Sequence, residues 1–205
     1  FFGGAKELVK RVDDFQSIKS NKELNISLPV LVYYACEKYN LGSTDTAIGL
    51  DPLDTYYNSL TGDTFSLHQF IDWYKWQDRL SKKTEDYSLI KEINSRIQIL
   101  FNGGENGLFK DIRVNYYQNP NGDFELFKID TWIEAKQLSS DEKMILALVG
   151  DLIKRIVIAN PNNKNPFDTA SGIVLIDEID LHLHAKWQRE ILERLYKEMF
   201  PNIQF

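Results

Sequence analysis

Residues Gly172-Ile173-Val174-Leu175-Ile176-Asp177-Glu178 carry four consecutive apolar side chains straight into two adjacent carboxylates. A short unbroken apolar run rich in β-branched residues predicts a strand buried on both faces. Strands of that kind belong to parallel sheets covered by helices. In such α/β sheets, ligands gather beyond the carboxyl ends of the strands, which is where Asp177 and Glu178 fall. This one run therefore commits the chain to an α/β architecture with chemistry at one end of a strand.

Two readings fit the acidic corner. In the first, Asp177 holds Mg²⁺, directly or through water, because hard cations take oxygen ligands. Glu178 then orients and deprotonates the water that attacks a nucleotide γ-phosphate. This is the pattern of a Walker B strand. In the second, a core strand simply ends in a solvated acidic turn, and a motif of this length does not by itself separate the two. The phosphate-binding partner of a Walker B strand, Gly-x-x-x-x-Gly-Lys-Ser/Thr, does not occur in the 205 residues. Gly103-Gly104-Glu105-Asn106-Gly107 lacks its lysine and hydroxyl.

Upstream, residues 5–19 read as a short amphipathic helix and residues 28–34 as a buried strand. Residues 39–64 carry no period and read as an irregular insert. Ser66 and Gln69 have capping-box spacing, and Leu67, Phe70, Ile71 and Tyr74 share one helical face. A second helix follows Asp86, with Ile90, Ile93, Ile97 and Leu100 as its stripe, so the two form a helical hairpin. Residues 112–117 and 124–129 flank Asn119-Pro120-Asn121-Gly122-Asp123 and predict a β-hairpin. A long apolar helix is expected over 140–159, a polar loop over 161–169, a helix over 185–200 and a further strand over 202–205. In domain terms, residues 1–38 and 111–205 form parts of one head, and 39–110 is a mainly helical insertion.

The long helix opens on Leu138-Ser139-Ser140-Asp141-Glu142-Lys143. Ser139 is placed to cap and Glu142 to close the box. A capped helix N-terminus also presents free N–H groups and a positive dipole end, which suit phosphate. Downstream of the strand lie Asp180, His182 and His184. The two histidines also fit a metal site with Asp177 or Asp180, but the only other histidine is His68, so that ligand set is short. They also fit polar loop residues with no role.

Taken together, residues 138–143 resemble the signature motif of ABC-type ATPases. Residues 172–189 resemble the Walker B strand and D-loop of the AAA_21/OLD-like group, which includes Septu-type and retron-associated defence ATPases. The resemblance implies a partial ABC-type head, a P-loop-like parallel sheet with flanking helices, carrying a helical and β-hairpin insertion. It implies ATP and Mg²⁺ as ligands, with Asp177 on the metal and Glu178 and His184 catalytic. Ser139, Ser140, Glu142, Lys143 and Asp180 would contact nucleotide. It further implies two heads closing around ATP and gating a nuclease or other effector in antiphage defence. The alternative is a non-hydrolysing nucleotide sensor or scaffold.

Two departures stand out. Asp141 takes a position usually held by glycine, setting a carboxylate and a side chain against phosphate approach. Ala185 replaces a proline preferred only at a helix start.

Composition narrows the classes. The net charge of -6 removes a global basic field for nucleic acid without excluding a local patch. Trp73, Tyr74 and Trp76 could stack bases, but their helical spacing favours packing in a core or on a partner. No apolar run reaches membrane-spanning length. The single cysteine, Cys36, points to a reducing, cytoplasmic compartment. The chain starts Phe1-Phe2-Gly3-Gly4-Ala5 and stops as an apolar run begins, so both ends are expected to lie inside a longer protein. The strand at 172–176 is accordingly expected to lack a sheet neighbour, and the isolated chain to bind ATP very weakly.

Overall fold

The computed structural model describes residues 28–35, 51–61, 65–102, 109–179, 183 and 185–205. The helix expected at 5–19, Cys36, the glycines at 103–107, and Asp180, His182 and His184 lie outside them.

Two three-stranded sheets share one apolar core. Strand β1 (Val30–Ala35) opens the first sheet. Helices α1 (Leu67–Thr84) and α2 (Ser88–Asn102) form the expected hairpin. Strands β2 (Phe109–Asn115), β3 (Asp123–Lys128) and β4 (Thr131–Glu134) make an antiparallel meander, the second sheet. Helix α3 (Ser140–Ala159) crosses the centre. A single turn, α4 (Pro166–Thr169), then leads to β5 (Gly172–Asp177). Helix α5 (Ala185–Arg194) continues into one π-helical turn over Leu195–Met199 and reaches β6 (Ile203–Gln204).

The first sheet has the order β1-β5-β6 and is parallel throughout. Val30 pairs with Gly172 and Ala35 with Asp177. Strand β5 thus has a neighbour along each edge, β6 joining at Gly172 and Ile173. That corrects the expectation of a missing neighbour. What is uncovered is a face: Val174 is buried, whereas Ile173 and Leu175 are exposed, as is Leu31 beside them on β1. The apolar run therefore does not mark burial on both faces. Gly172 is required by the pairing itself, because a Cβ there would stand 2.2 Å from the Val30 carbonyl oxygen.

Helix α3 supplies the centre of the core. Nearly every side chain from Met144 to Ile156 is buried. Each fully buried Leu or Ile there is worth about 1.5–3 kcal/mol. Gly150 lets α1 lie close, since a Cβ would fall 2.3 Å from the Phe70 ring. Phe70 and Tyr74 pack edge-on against Phe124 of β3, with ring centroids 6.0 and 5.0 Å apart, tying the hairpin to the second sheet. Trp73 and Tyr74 are core residues, while Trp76 is exposed.

The expected capping box at Ser66 does not form. Ser66 is the N-cap residue but its side chain makes no cap bond, and it is buried. Strand β4 was not foreseen. It follows β3 through the two-residue turn Ile129-Asp130, both at positive φ (46° and 63°), a conformation more often signalled by Asn-Gly.

Candidate functional site

The acidic corner sits at the carboxyl end of β5. Asp177 and Glu178 are both exposed, and neither makes an ion pair among the described residues. Glu178 adopts φ +54°, the left-handed region that a non-glycine residue enters at a cost of roughly 1–2 kcal/mol. The chain therefore turns sharply directly after Asp177. Strain of this kind gathers at functional sites. Among the described residues, the side-chain donor to Asp177 is Tyr33 of β1, whose hydroxyl donates to Oδ2 at 3.1 Å. No cationic side chain among the described residues pairs with Asp177, and the hydrogen bond from Tyr33 engages Oδ2 alone, so the carboxylate fits a hard cation such as Mg²⁺. Among the described residues no three His, Cys, Asp or Glu side chains converge as a self-contained metal cage.

At the start of α3, the predicted cap is formed. The Glu142 N–H donates to Ser139 Oγ at 3.3 Å, and the Ser139 N–H donates to Glu142 Oε2 at 2.9 Å. Lys128 of β3 donates to Glu142 Oε1 at 2.6 Å, an anchor that sequence reading missed. Burial works to raise the Glu142 pKa. The Lys128 and Ser139 hydrogen bonds and the Lys128 charge outweigh it and hold the carboxyl below its usual range. The carboxylate of Glu142 is thereby engaged inside the chain. Ser139 and Ser140 stay exposed, and Asp141 and Lys143 are half-buried in the same first turn. Asp141 adds a second carboxylate to that turn, against phosphate approach.

Helix α3 runs antiparallel to β1. The Leu28 N–H donates to the Ala159 carbonyl at 3.2 Å, and the Tyr34 hydroxyl donates to Asp151 Oδ2 at 2.8 Å. From Asp151 back to Ser140 the helix extends about 16 Å at about 1.5 Å per residue. The first turn of α3 therefore projects past the strand ends. No hydrogen bond or ion pair among the described residues joins Ser139 or Ser140 to Asp177 or Glu178. Among the described residues, the two elements are thus not joined.

On the covered face of β1 lies a buried polar network. Arg155 has no exposed surface, and its Nε donates to Asp151 Oδ2 at 2.6 Å, the oxygen that also accepts from Tyr34. Arg155 Nη1 donates to the Thr55 carbonyl, and the Thr55 hydroxyl donates to the Arg155 carbonyl at 3.2 Å. Burial, then the Asp151 charge, pushes the Tyr34 hydroxyl pKa well above its ordinary value. Burial also lowers that of neighbouring Lys154. The signal for this network was present in the sequence: Asp151 and Arg155 stand four apart in the mostly apolar body of α3.

A second link holds α5. Arg96 of α2 donates to the Glu198 and Met199 carbonyls at 3.0 and 2.8 Å, and Arg194 of α5 donates to the Leu100 carbonyl at 2.7 Å. Each arginine satisfies carbonyls near the end of the other's helix, which have no partner within that helix. The helix following the acidic corner is thus clasped to the hairpin.

A parallel sheet flanked by helices, with acidic residues at a strand's carboxyl end, is consistent with a P-loop NTPase-like fold. The family described as "AAA domain, putative AbiEii toxin, Type IV TA system" matches residues 49–205. The chain belongs to this AAA family. It is 31% identical to the "Retron Vc95 probable ATPase" of Vibrio cholerae serotype O1 biovar El Tor, covering 98% of this chain and 49% of that protein. Over 34% of this chain and 12% of the relative it is 59% identical to the "Retron Ec83 probable ATPase" of Escherichia coli. It is also 45% identical to the Septu protein PtuA of Bacillus mycoides (strain KBAB4), over 37% of this chain and 10% of that protein. The chain thus spans about half the length of the first of these relatives. No described helix is long and apolar enough to cross a membrane.

Proposed function

We propose that these residues are part of an ATPase head that binds and hydrolyses ATP between two copies. The observation that carries this reading is the exposed Asp177-Glu178 pair at the end of parallel β5, turned by the left-handed Glu178. Asp177 would hold Mg²⁺, which when bound would neutralise charge on the phosphate oxygens. Glu178 accepts a proton from the water attacking the γ-phosphorus as the bond to the bridging oxygen breaks. The first turn of α3, with Ser139, Ser140 and Lys143, meets the nucleotide held by the opposite head, with Asp180 and His184 at the same interface. Glu142 supports that turn through its cap rather than by touching phosphate.

By the resemblance, hydrolysis opens the dimer and gates an effector subunit in phage defence. The retron and Septu names of the relatives support that context. In the full-length protein, Glu178→Gln is expected to abolish ATP turnover while keeping ATP-dependent dimerisation. Undiminished hydrolysis by that variant contradicts the assignment. The Asp141 carboxylate favours a second reading, a nucleotide sensor that closes without turnover. An intact wild-type dimer that binds ATP but releases no phosphate would select it.

A further inference from the structure

We propose that Tyr33 is a positioning residue for the Asp177 carboxylate, an inference that rests on the ATPase reading above. Tyr33 lies opposite Leu175 in the β1–β5 register, two residues before the level of Asp177. Side chains alternate along a strand, so Tyr33, Leu175 and Asp177 share the uncovered face. A long side chain reaches the diagonal neighbour across paired strands. The Tyr33 hydroxyl does so, meeting Asp177 Oδ2 at 3.1 Å.

The chemistry of this donor suits a metal-holding carboxylate. A lysine or arginine at the same place would neutralise Asp177 and compete with a cation. A phenol donates a hydrogen bond yet leaves the charge in place. It fixes which oxygen faces the protein and which faces outward, while the turn at Glu178 carries the next carboxylate away. Groups that orient metal ligands in this manner commonly set metal affinity.

The frame behind Tyr33 is rigid. Its N–H donates to the Ser59 carbonyl at 2.7 Å. Its neighbour Tyr34 points to the opposite face and is locked by Asp151 and the fully buried Arg155. The Tyr56 hydroxyl donates to the Pro29 carbonyl at 2.7 Å, bracing the start of the same strand. The backbone that carries Tyr33 is therefore held by bonds that do not involve Asp177.

The test uses the full-length protein, Mn²⁺ with a non-hydrolysable ATP analogue, and electron paramagnetic resonance of the bound ion. Tyr33→Phe is expected to weaken Mn²⁺ binding roughly 10-fold, the lower end for loss of a group supporting a metal ligand. Its melting temperature should match wild type, because an exposed bond contributes little to folding. Mn²⁺ affinity equal to wild type in a folded Tyr33→Phe protein overturns the proposal, as does a lowered melting temperature with normal Mn²⁺ binding. Asp177→Asn separates the levels. If it loses Mn²⁺ while Tyr33→Phe does not, only the positioning role fails; if it binds Mn²⁺ as wild type does, the ATPase-site reading fails.

Discussion

On one face of the β1-β5-β6 sheet, Val30, Val32, Tyr34 and Val174 are at most 1% exposed; on the other, Leu31, Ile173 and Leu175 stand 41%, 46% and 56% exposed. The residue types barely differ between the faces. What differs is what lies against them. Helix α3 and the network of Asp151, Arg155 and Tyr34 cover the first, while the second carries Tyr33 and Asp177. One face is therefore packed into the core, and the other, which carries the proposed site, is left exposed. The π-helical turn and the paired arginines hold the helix that follows the acidic corner on the covered side.

The sharpest way to break this contrast is to disturb the covered face. Asp151→Ala strands Arg155 without its carboxylate in the core and is expected to cost about 3–5 kcal/mol, read by urea denaturation. Next comes a pair on adjacent residues. Val174→Ala should cost about 2 kcal/mol through the cavity it leaves, whereas Leu175→Ala should stay within about 0.5 kcal/mol in the 205-residue chain. Equal losses would mean that the two faces are equally packed.

A subtler probe lies at the start of α3. Ser139→Ala should cost about 1 kcal/mol through the lost cap. Lys128→Met should remove a pH-dependent part of stability. Because the folded Glu142 pKa is lowered, its contribution is present above the unfolded carboxyl value of about 4.3 and is lost as pH falls through the lower folded value. The two proteins should therefore differ most at neutral pH and converge in acid, as followed by thermal melts across pH. The smallest change is expected for Glu178→Gly. It relieves a left-handed side chain but loosens the unfolded chain, so stability should move by no more than about 1 kcal/mol.

Much of this arrangement was legible because period and chemistry agree. The apolar run of β5, the Ser139–Glu142 cap and the stripe from Ile90 to Leu100 all formed where residue spacing placed them. One-sided burial of β5 was not legible, since Ile173 and Leu175 read as apolar whether or not anything covers them. Strand β4 escaped because Ile129 is an atypical residue for its turn. Tyr33 escaped because its partner is 144 residues away, a pairing that only the strand register creates. Ser66 shows the reverse error, a capping pattern at a helix start whose side chain makes no cap bond.

The separation of the first turn of α3 from the acidic corner leads to a direct test of the proposed shared site. Two variants of the full-length protein, Glu178→Gln and Ser140→Arg, are each assayed alone for phosphate release from ATP and then mixed. If each site takes Glu178 from one head and the α3 turn from the other, both variants are inactive alone and the mixture regains part of the wild-type rate, because one site in each mixed dimer is intact. A mixture as inactive as its components, with mixed dimers shown to form, would contradict a site shared between two copies.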